Sequence, residues 1–174
     1  PATVIGSWSF PGWYEKFIAD VAAHPGLFGA VDREEALRDA IRLAVDDQLR
    51  AGLDRITDGE MQRVDFNLGF YDYLEGLEAL PRVRHWGAPA HDQRAKYRCV
   101  GPLRAPQGLG IVDEYRRLRE LSEAPVKMPI PGAFTLAGCI AGGDVYLDRS
   151  DVTEALIPIV NAELKAACAA GVEF

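Results

Sequence analysis

Residues 32–60, DREEALRDAIRLAVDDQLRAGLDRITDGE, decide the fold. Asp32 and Glu35 form a capping box, each side chain able to satisfy an open backbone N–H of a first helical turn. Behind it Ala36, Leu37, Ala40, Ile41, Ala44, Val45 and Leu49 recur at steps of three and four, which makes one apolar stripe on a helix. Gly52 is the natural left-handed stop. Leu53-Asp54-Arg55-Ile56-Thr57 then reads as a strand that ends at Asp58-Gly59-Glu60. On the N-terminal side, Thr3-Val4-Ile5-Gly6-Ser7 reads as another short buried strand ending at a glycine. Strand, helix, strand in that order is the signature of a parallel βαβ unit.

The rest of the chain extends this pattern. Trp8 to Val31 suits a long loop with a helical piece around Tyr14 to Ala22. A helix is expected over 63–78, with Phe66, Phe70, Tyr73, Leu74 and Leu77 inward. Residues 80–106 show no clear period and read as an insertion, part of it a hairpin because Lys96-Tyr97-Arg98-Cys99-Val100 alternates before Gly101-Pro102. Residues 109–122 look helical through Ile111, Tyr115, Leu118 and Leu121. Val126-Lys127-Met128-Pro129-Ile130 reads as a third parallel strand. Asp151 with Glu154 repeats the capping box, and a helix runs from there to about Ala170, with a kink expected at Pro158. Gly171 ends it, and Val172-Glu173-Phe174 reads as the opening of one more strand. The expected fold is α/β, the N-terminal half of a TIM (β/α)8 barrel over residues 1–174 with an inserted hairpin, because a short parallel sheet leaves edges and a face that the other half would cover.

Composition narrows the function classes. The 174 residues are 48% hydrophobic and 26% charged, with a formal net charge of −7. The basic residues do not gather into a stripe, which argues against a nucleic-acid binder. No apolar run reaches the roughly 18–20 residues of a membrane span. The N-terminus shows no charged segment followed by an apolar one, so no secretory signal is read. Three scattered cysteines (Cys99, Cys139, Cys168) suit free thiols and a cytoplasmic location.

In α/β folds the chemistry sits at the C-terminal ends of strands. Gly6-Ser7, Asp58-Gly59-Glu60 and Pro131-Gly132 with Thr135 pass that filter. Gly59 lets the chain turn between two carboxylates, and so close a pair tends to push one pKa upward. The pair could grip an ammonium group or act as acid and base; it could equally cap a loop or helix. Ser7 is a substrate-binding candidate or a turn residue. Arg63 and Asp65 read as ion-pair or surface residues. Trp8, Phe10, Trp13 and Tyr14 either pack the long loop or wall a pocket. His85, His91 and Cys99 match no tight metal-ligand spacing.

Several of these segments, in order, resemble the cobalamin-independent methionine synthase family. They are Ile5-Gly6-Ser7 with Phe10-Pro11; Asp46-Asp47-Gln48 and Ala51-Gly52-Leu53-Asp54; Thr57-Asp58-Gly59-Glu60 with Arg63 and Asp65-Phe66; Val126-Lys127 with Pro131-Gly132 and Thr135-Leu136; and Ala170-Gly171-Val172-Glu173-Phe174. The resemblance implies an S-methyltransferase that passes a methyl group to homocysteine made nucleophilic by zinc. It assigns Ile5, Gly6 and Ser7 to the carboxylate and backbone of homocysteine and Glu60 to its ammonium. Asp58 stands with them, and Trp8, Arg63 and Thr135 are possible pocket residues. The zinc ligands of the family, a His-x-Cys pair with a Glu and a distant Cys, belong to the other half of the barrel, which a further stretch or a second chain would supply; this chain then holds no catalytic metal and is inactive alone. Cys139 falls near the place where folate-using members carry a Trp, which leaves folate, a corrinoid or another compound as the methyl donor. Two alternatives stand beside this reading: thiol alkylation of the epoxyalkane:coenzyme M transferase kind, and a barrel fragment kept as a binding module.

Overall fold

A computed structural model describes residues 1–63, 68–81 and 95–172. It divides into two compact units, one of residues 1–64, 113–129 and 172–174, the other of residues 65–112 and 130–171.

The first unit is built around two helices, α1 (Gly12–Ala23) and α2 (Ala30–Arg50). Helix α1 covers the piece expected around Tyr14. Helix α2 starts two residues before Asp32: Gly29 is the N-cap, and Asp32, at the third helical position, accepts the Gly29 N–H at 2.7 Å. One half of the expected capping box therefore forms, one turn earlier, because a glycine in extended backbone can precede the helix as readily as an aspartate can. The buried side of α2 is Ala40, Ile41, Ala44, Val45 and Gln48. Leu49, assigned to the apolar stripe, is 44% exposed, and Gln48 takes the inward position.

Gln48 shows why. Its amide nitrogen donates to the carbonyls of Ala44 and Thr57, both at 2.9 Å, and its amide oxygen accepts the Thr57 N–H at 2.9 Å. A side chain of α2 thus does for Thr57 what a neighbouring strand does for a ladder residue. We expect Gln48→Leu to lose roughly 3 kcal/mol in chemical denaturation, since it leaves two buried backbone groups of Thr57 unpaired. A loss under about 1 kcal/mol would show that those groups find other partners.

The three expected strands of this unit are the main correction. Among the described residues none of Thr3–Ser7, Leu53–Thr57 or Val126–Ile130 forms a continuous strand. Ile56 and Val126 make a single parallel bridge, with Ile56 N–H on the Pro125 carbonyl at 3.0 Å and Lys127 N–H on the Ile56 carbonyl at 2.8 Å. The expected parallel direction is right for that pair. Thr3–Ser7 is held to the second segment by the Ala2 carbonyl, which accepts from Asp54 and Arg55, and by the Thr3 hydroxyl on the Arg55 carbonyl. It is not buried: Ile5 is 74% exposed. Helix α4 (Ile111–Leu121), expected over 109–122, joins this unit from Asp113 onward.

The second unit holds α3 (Leu68–Tyr71), β1 (Glu75–Ala79), β2 (Tyr97–Arg104), α5 (Ala133–Ala137), β3 (Ile140–Ala141) and α6 (Arg149–Ala170). The helix expected over 63–78 is not formed. Among the described residues of that span only α3, one turn, is helical, and the chain then enters β1. Phe70, Tyr73, Leu74 and Leu77 fall at helical steps, but Gly76 adopts φ +88, outside the helical range, and a Cβ there would lie 2.6 Å from the Pro102 carbonyl oxygen. That close approach is the bulge in the antiparallel β1–β2 pairing, between Glu75 opposite Arg104 and Leu77 opposite Cys99. The expected hairpin strand is real and longer than read, running through Gly101 and Pro102. Tyr97 and Arg98 pair in parallel with Ile140 and Ala141 of β3.

Helix α6 is capped by Asp148, whose carboxylate accepts from Ser150 and Asp151, and not by the expected Asp151–Glu154 box. It continues through exposed Pro158 and ends at Gly171 with φ +102, the left-handed stop the sequence indicates. Val152, Leu156, Val160 and Ala167 form its buried side together with Glu163. Glu163 accepts the Leu109 and Ile111 N–H groups at 2.7 and 2.8 Å, so it fixes the chain entering α4. Asp65-Phe66, the histidines at 85 and 91, and Glu173-Phe174 lie outside the described residues.

Candidate functional site

The turn Thr57–Glu60 is where the sequence concentrates its chemistry, and it lies within the first unit. Its backbone is secured at each step. The Thr57 hydroxyl accepts the Gly59 N–H at 3.1 Å, and Asp58 Oδ1 accepts the Glu60 N–H at 2.9 Å. Gly59 has φ +73 and its Cβ position is filled by Ala44, Trp8 and Met61, so no other residue fits there. Trp8 N–H donates to the Gly59 carbonyl at 2.9 Å, and the Tyr14 hydroxyl donates to the Met61 carbonyl at 3.1 Å. Phe10 and Trp13 pack edge-on against the Tyr14 ring. Trp8 and Tyr14 thereby brace this turn.

Glu60 is the residue all this presents. It has φ +54, the only non-glycine positive φ among the described residues. A non-glycine side chain in the left-handed region is a strain that surrounding structure must hold in place. Its carboxylate accepts from the Ser7 hydroxyl at 3.3 Å and from the Gly6 N–H. Gly6 itself has φ +86. The structure thus brings Gly6, Ser7, Trp8, Asp58, Glu60 and Arg63 together. Ile5 contributes only backbone, its side chain lying in the open, and Thr135 sits exposed on α5 of the second unit.

Of the two readings open for Arg63, ion pair or surface, the structure shows the ion pair, and it is buried: Arg63 is 2% exposed. Its Nε donates to Glu114 Oε1 at 3.0 Å, its Nη2 to Glu114 Oε2 and to the Pro129 carbonyl at 2.8 Å, and its Nη1 stands 3.5 Å from Glu60 Oε1. Asp58, Glu60 and Glu114 are buried around this guanidinium. Carboxylate charge therefore exceeds guanidinium charge in a place with little water. Burial, then the charge of Glu114, pushes Asp58 up to about 7. Glu60 is also raised, chiefly by burial, with Arg63 and the Ser7 hydroxyl opposing. Burial pushes the Tyr14 hydroxyl up to about 12. Asp58 Oδ2 has no hydrogen-bond partner among the described residues. Such an arrangement can hold a proton or a cation.

Two of these residues carried no role in the sequence reading. Glu114 sits 51 positions from Arg63, and its only sequence signal is a carboxylate in the first turn of a helix. Gln48 carried a signal in being the polar residue four positions after Ala44, on the inward side. Among the described residues no three His, Cys, Asp or Glu side chains are grouped to hold a metal ion. Cys99 is buried on β2. No helix among them is long and apolar enough to cross a membrane.

No family model matches the chain. Curated relatives do. The methionine synthase of Sulfurisphaera tokodaii is 29% identical over 180 residues and that of Pyrococcus furiosus 30% over 175, each covering 100% of this chain and 50% of the relative. The B12-independent methionine synthase of a Shewanella species, solved with selenomethionine, superposes with a TM-score of 0.75 at 26% identity, over 99% of this chain and 49% of that one. Over its whole length the chain is similar to methionine synthases, a B12-independent one among them. It spans about half the length of the curated methionine synthases it matches. A solved structure from Listeria monocytogenes shares the fold, with a TM-score of 0.70 at 20% identity over 98% of this chain and 48% of that one.

Proposed function

We propose that this chain forms the amino-acid-holding side of a methionine synthase, an S-methyltransferase that passes a methyl group to homocysteine. The observation that carries the reading is Glu60: a buried carboxylate in a strained, heavily secured turn, with Ser7 and Gly6 donating to it and carboxylate in excess around it. A protein that holds such a group ready has a use for a cation there, and the α-ammonium of an amino acid is the cation the family resemblance supplies. With the ammonium on Glu60, the Ser7 hydroxyl and the Gly6 N–H would turn from Glu60 to the ligand's carboxylate, with the backbone of Ile5 beside them. Trp8 N–H on the Gly59 carbonyl ties the two segments together.

In the reaction the thiol gives up its proton, the sulfur forms a bond to the methyl carbon, and the bond from that carbon to its donor breaks. The chain's share is to orient the amino acid so that its sulfur meets the methyl group. As the resemblance implies, we assign the family's zinc to the other half of a (β/α)8 barrel of which this chain is the N-terminal half. The parallel Ile56–Val126 and β2–β3 pairings support that architecture.

Coenzyme M presents a sulfonate where homocysteine has an amino acid, and an anion is disfavoured beside Glu60. Titration calorimetry separates the readings. L-Methionine, the product, is expected to bind, while coenzyme M and the des-amino analogue of methionine are not. Equal binding of methionine and its des-amino analogue would remove Glu60 from its assigned role.

A further inference from the structure

We propose that Glu114 is a positioning residue that withholds Arg63 from Glu60 and so leaves the Glu60 carboxylate for the ammonium group of an α-amino acid. The inference rests on the reading of Glu60 as the ammonium partner. Its own basis is the way the guanidinium is shared. Arg63 presents one edge, Nε and Nη2, to both oxygens of Glu114, the two-point pairing a planar fork favours. The Pro129 carbonyl, at 2.8 Å, holds the same Nη2 in place. What reaches Glu60 is Nη1 at 3.5 Å, beyond hydrogen-bonding length.

Glu60 therefore feels a nearby positive charge without being closed off by it. With 2% exposure or less at Arg63 and Glu60, a guanidinium released by Glu114 has little water to turn to. It would take the nearest carboxylate in the same two-point fashion, and an incoming ammonium would have to displace it. Glu114 touches no ligand in this scheme; it decides what Arg63 does.

The test is binding of L-methionine to the protein as isolated, by calorimetry, with thermal unfolding recorded for each variant. Glu114→Gln should bind about tenfold more weakly or worse, since Arg63 is freed to pair with Glu60. Glu114→Asp keeps the charge and should bind as the parent does. The double variant Arg63→Met with Glu114→Met removes decoy and competitor together and should bind within about threefold of the parent. A merely structural role predicts the opposite, with the double variant as weak as Glu114→Gln or weaker. Parent-like binding by Glu114→Gln, or loss in the double variant, would overturn the proposal. Should Glu114→Gln fail to fold, the double variant and Glu114→Asp decide alone, retention supporting the proposal and loss overturning it. Glu60→Gln is the separate control: if it binds as tightly as the parent, the reading of Glu60 itself fails.

Discussion

Glu60→Gln is expected to weaken L-methionine binding by about a hundredfold while leaving the fold as stable as before or more so. Removing one partner of a buried charge pair usually costs about 2–5 kcal/mol of binding, which covers that factor. Stability should not follow it down. Burial already disfavours the charged form of Glu60, which is why its pKa is raised. A neutral amide of the same shape escapes that cost and can still accept from Ser7 and Gly6. Binding that collapses while the melting temperature holds or rises is the mark of a residue kept for a ligand. Calorimetry and thermal unfolding on the same preparation check both halves. A variant that binds normally, or one that loses binding only because it unfolds, would count against the assignment.

Asp58→Asn should change how stability depends on pH. In the folded chain Asp58 is raised from 3.8 to about 7, by burial first and the charge of Glu114 second. Between those values the unfolded chain has given up a proton that the folded chain keeps. Stability from this group is thus fully present below pH 3.8 and is lost as pH rises towards about 7. Asparagine keeps the oxygen that accepts the Glu60 N–H at 2.9 Å and cannot ionise. The variant should therefore gain on the parent across that window, by up to about 4 kcal/mol in total, and run parallel to it at higher pH. Chemical denaturation at several pH values from 4 to 8 measures the difference. Two curves that stay parallel through the window would show that Asp58 is already ionised in the folded chain.

What could be read from sequence was what is local. The inward side of α2 follows from spacing alone, because Ala40, Ile41, Ala44 and Val45 are neighbours on one turn or the next. Asp58-Gly59-Glu60 could be singled out because a glycine between carboxylates at the end of an apolar segment implies a turn. The strands were over-read. Whether Thr3–Ser7 becomes a strand depends on what lies on either side of it, and no property of those five residues contains that. The helix over 63–78 failed for a related reason: one left-handed glycine, Gly76, outweighed four apolar residues at the right steps. Arg63 illustrates a third limit. Nothing within the motif reveals that its partner lies on α4, so sequence leaves the ion-pair and surface readings of Arg63 side by side.

Gln48 makes Thr57 an unusual reporter. Amide protons that resist exchange with solvent mostly belong to helix interiors and sheet ladders, where opening requires the element to break. The Thr57 amide belongs to neither, yet it is held by a side chain rooted two residues before the end of α2. Its exchange with deuterium is expected to follow the seating of that helix. In one residue, next door to the candidate site, the slow breathing of a 21-residue helix is written as a single proton signal.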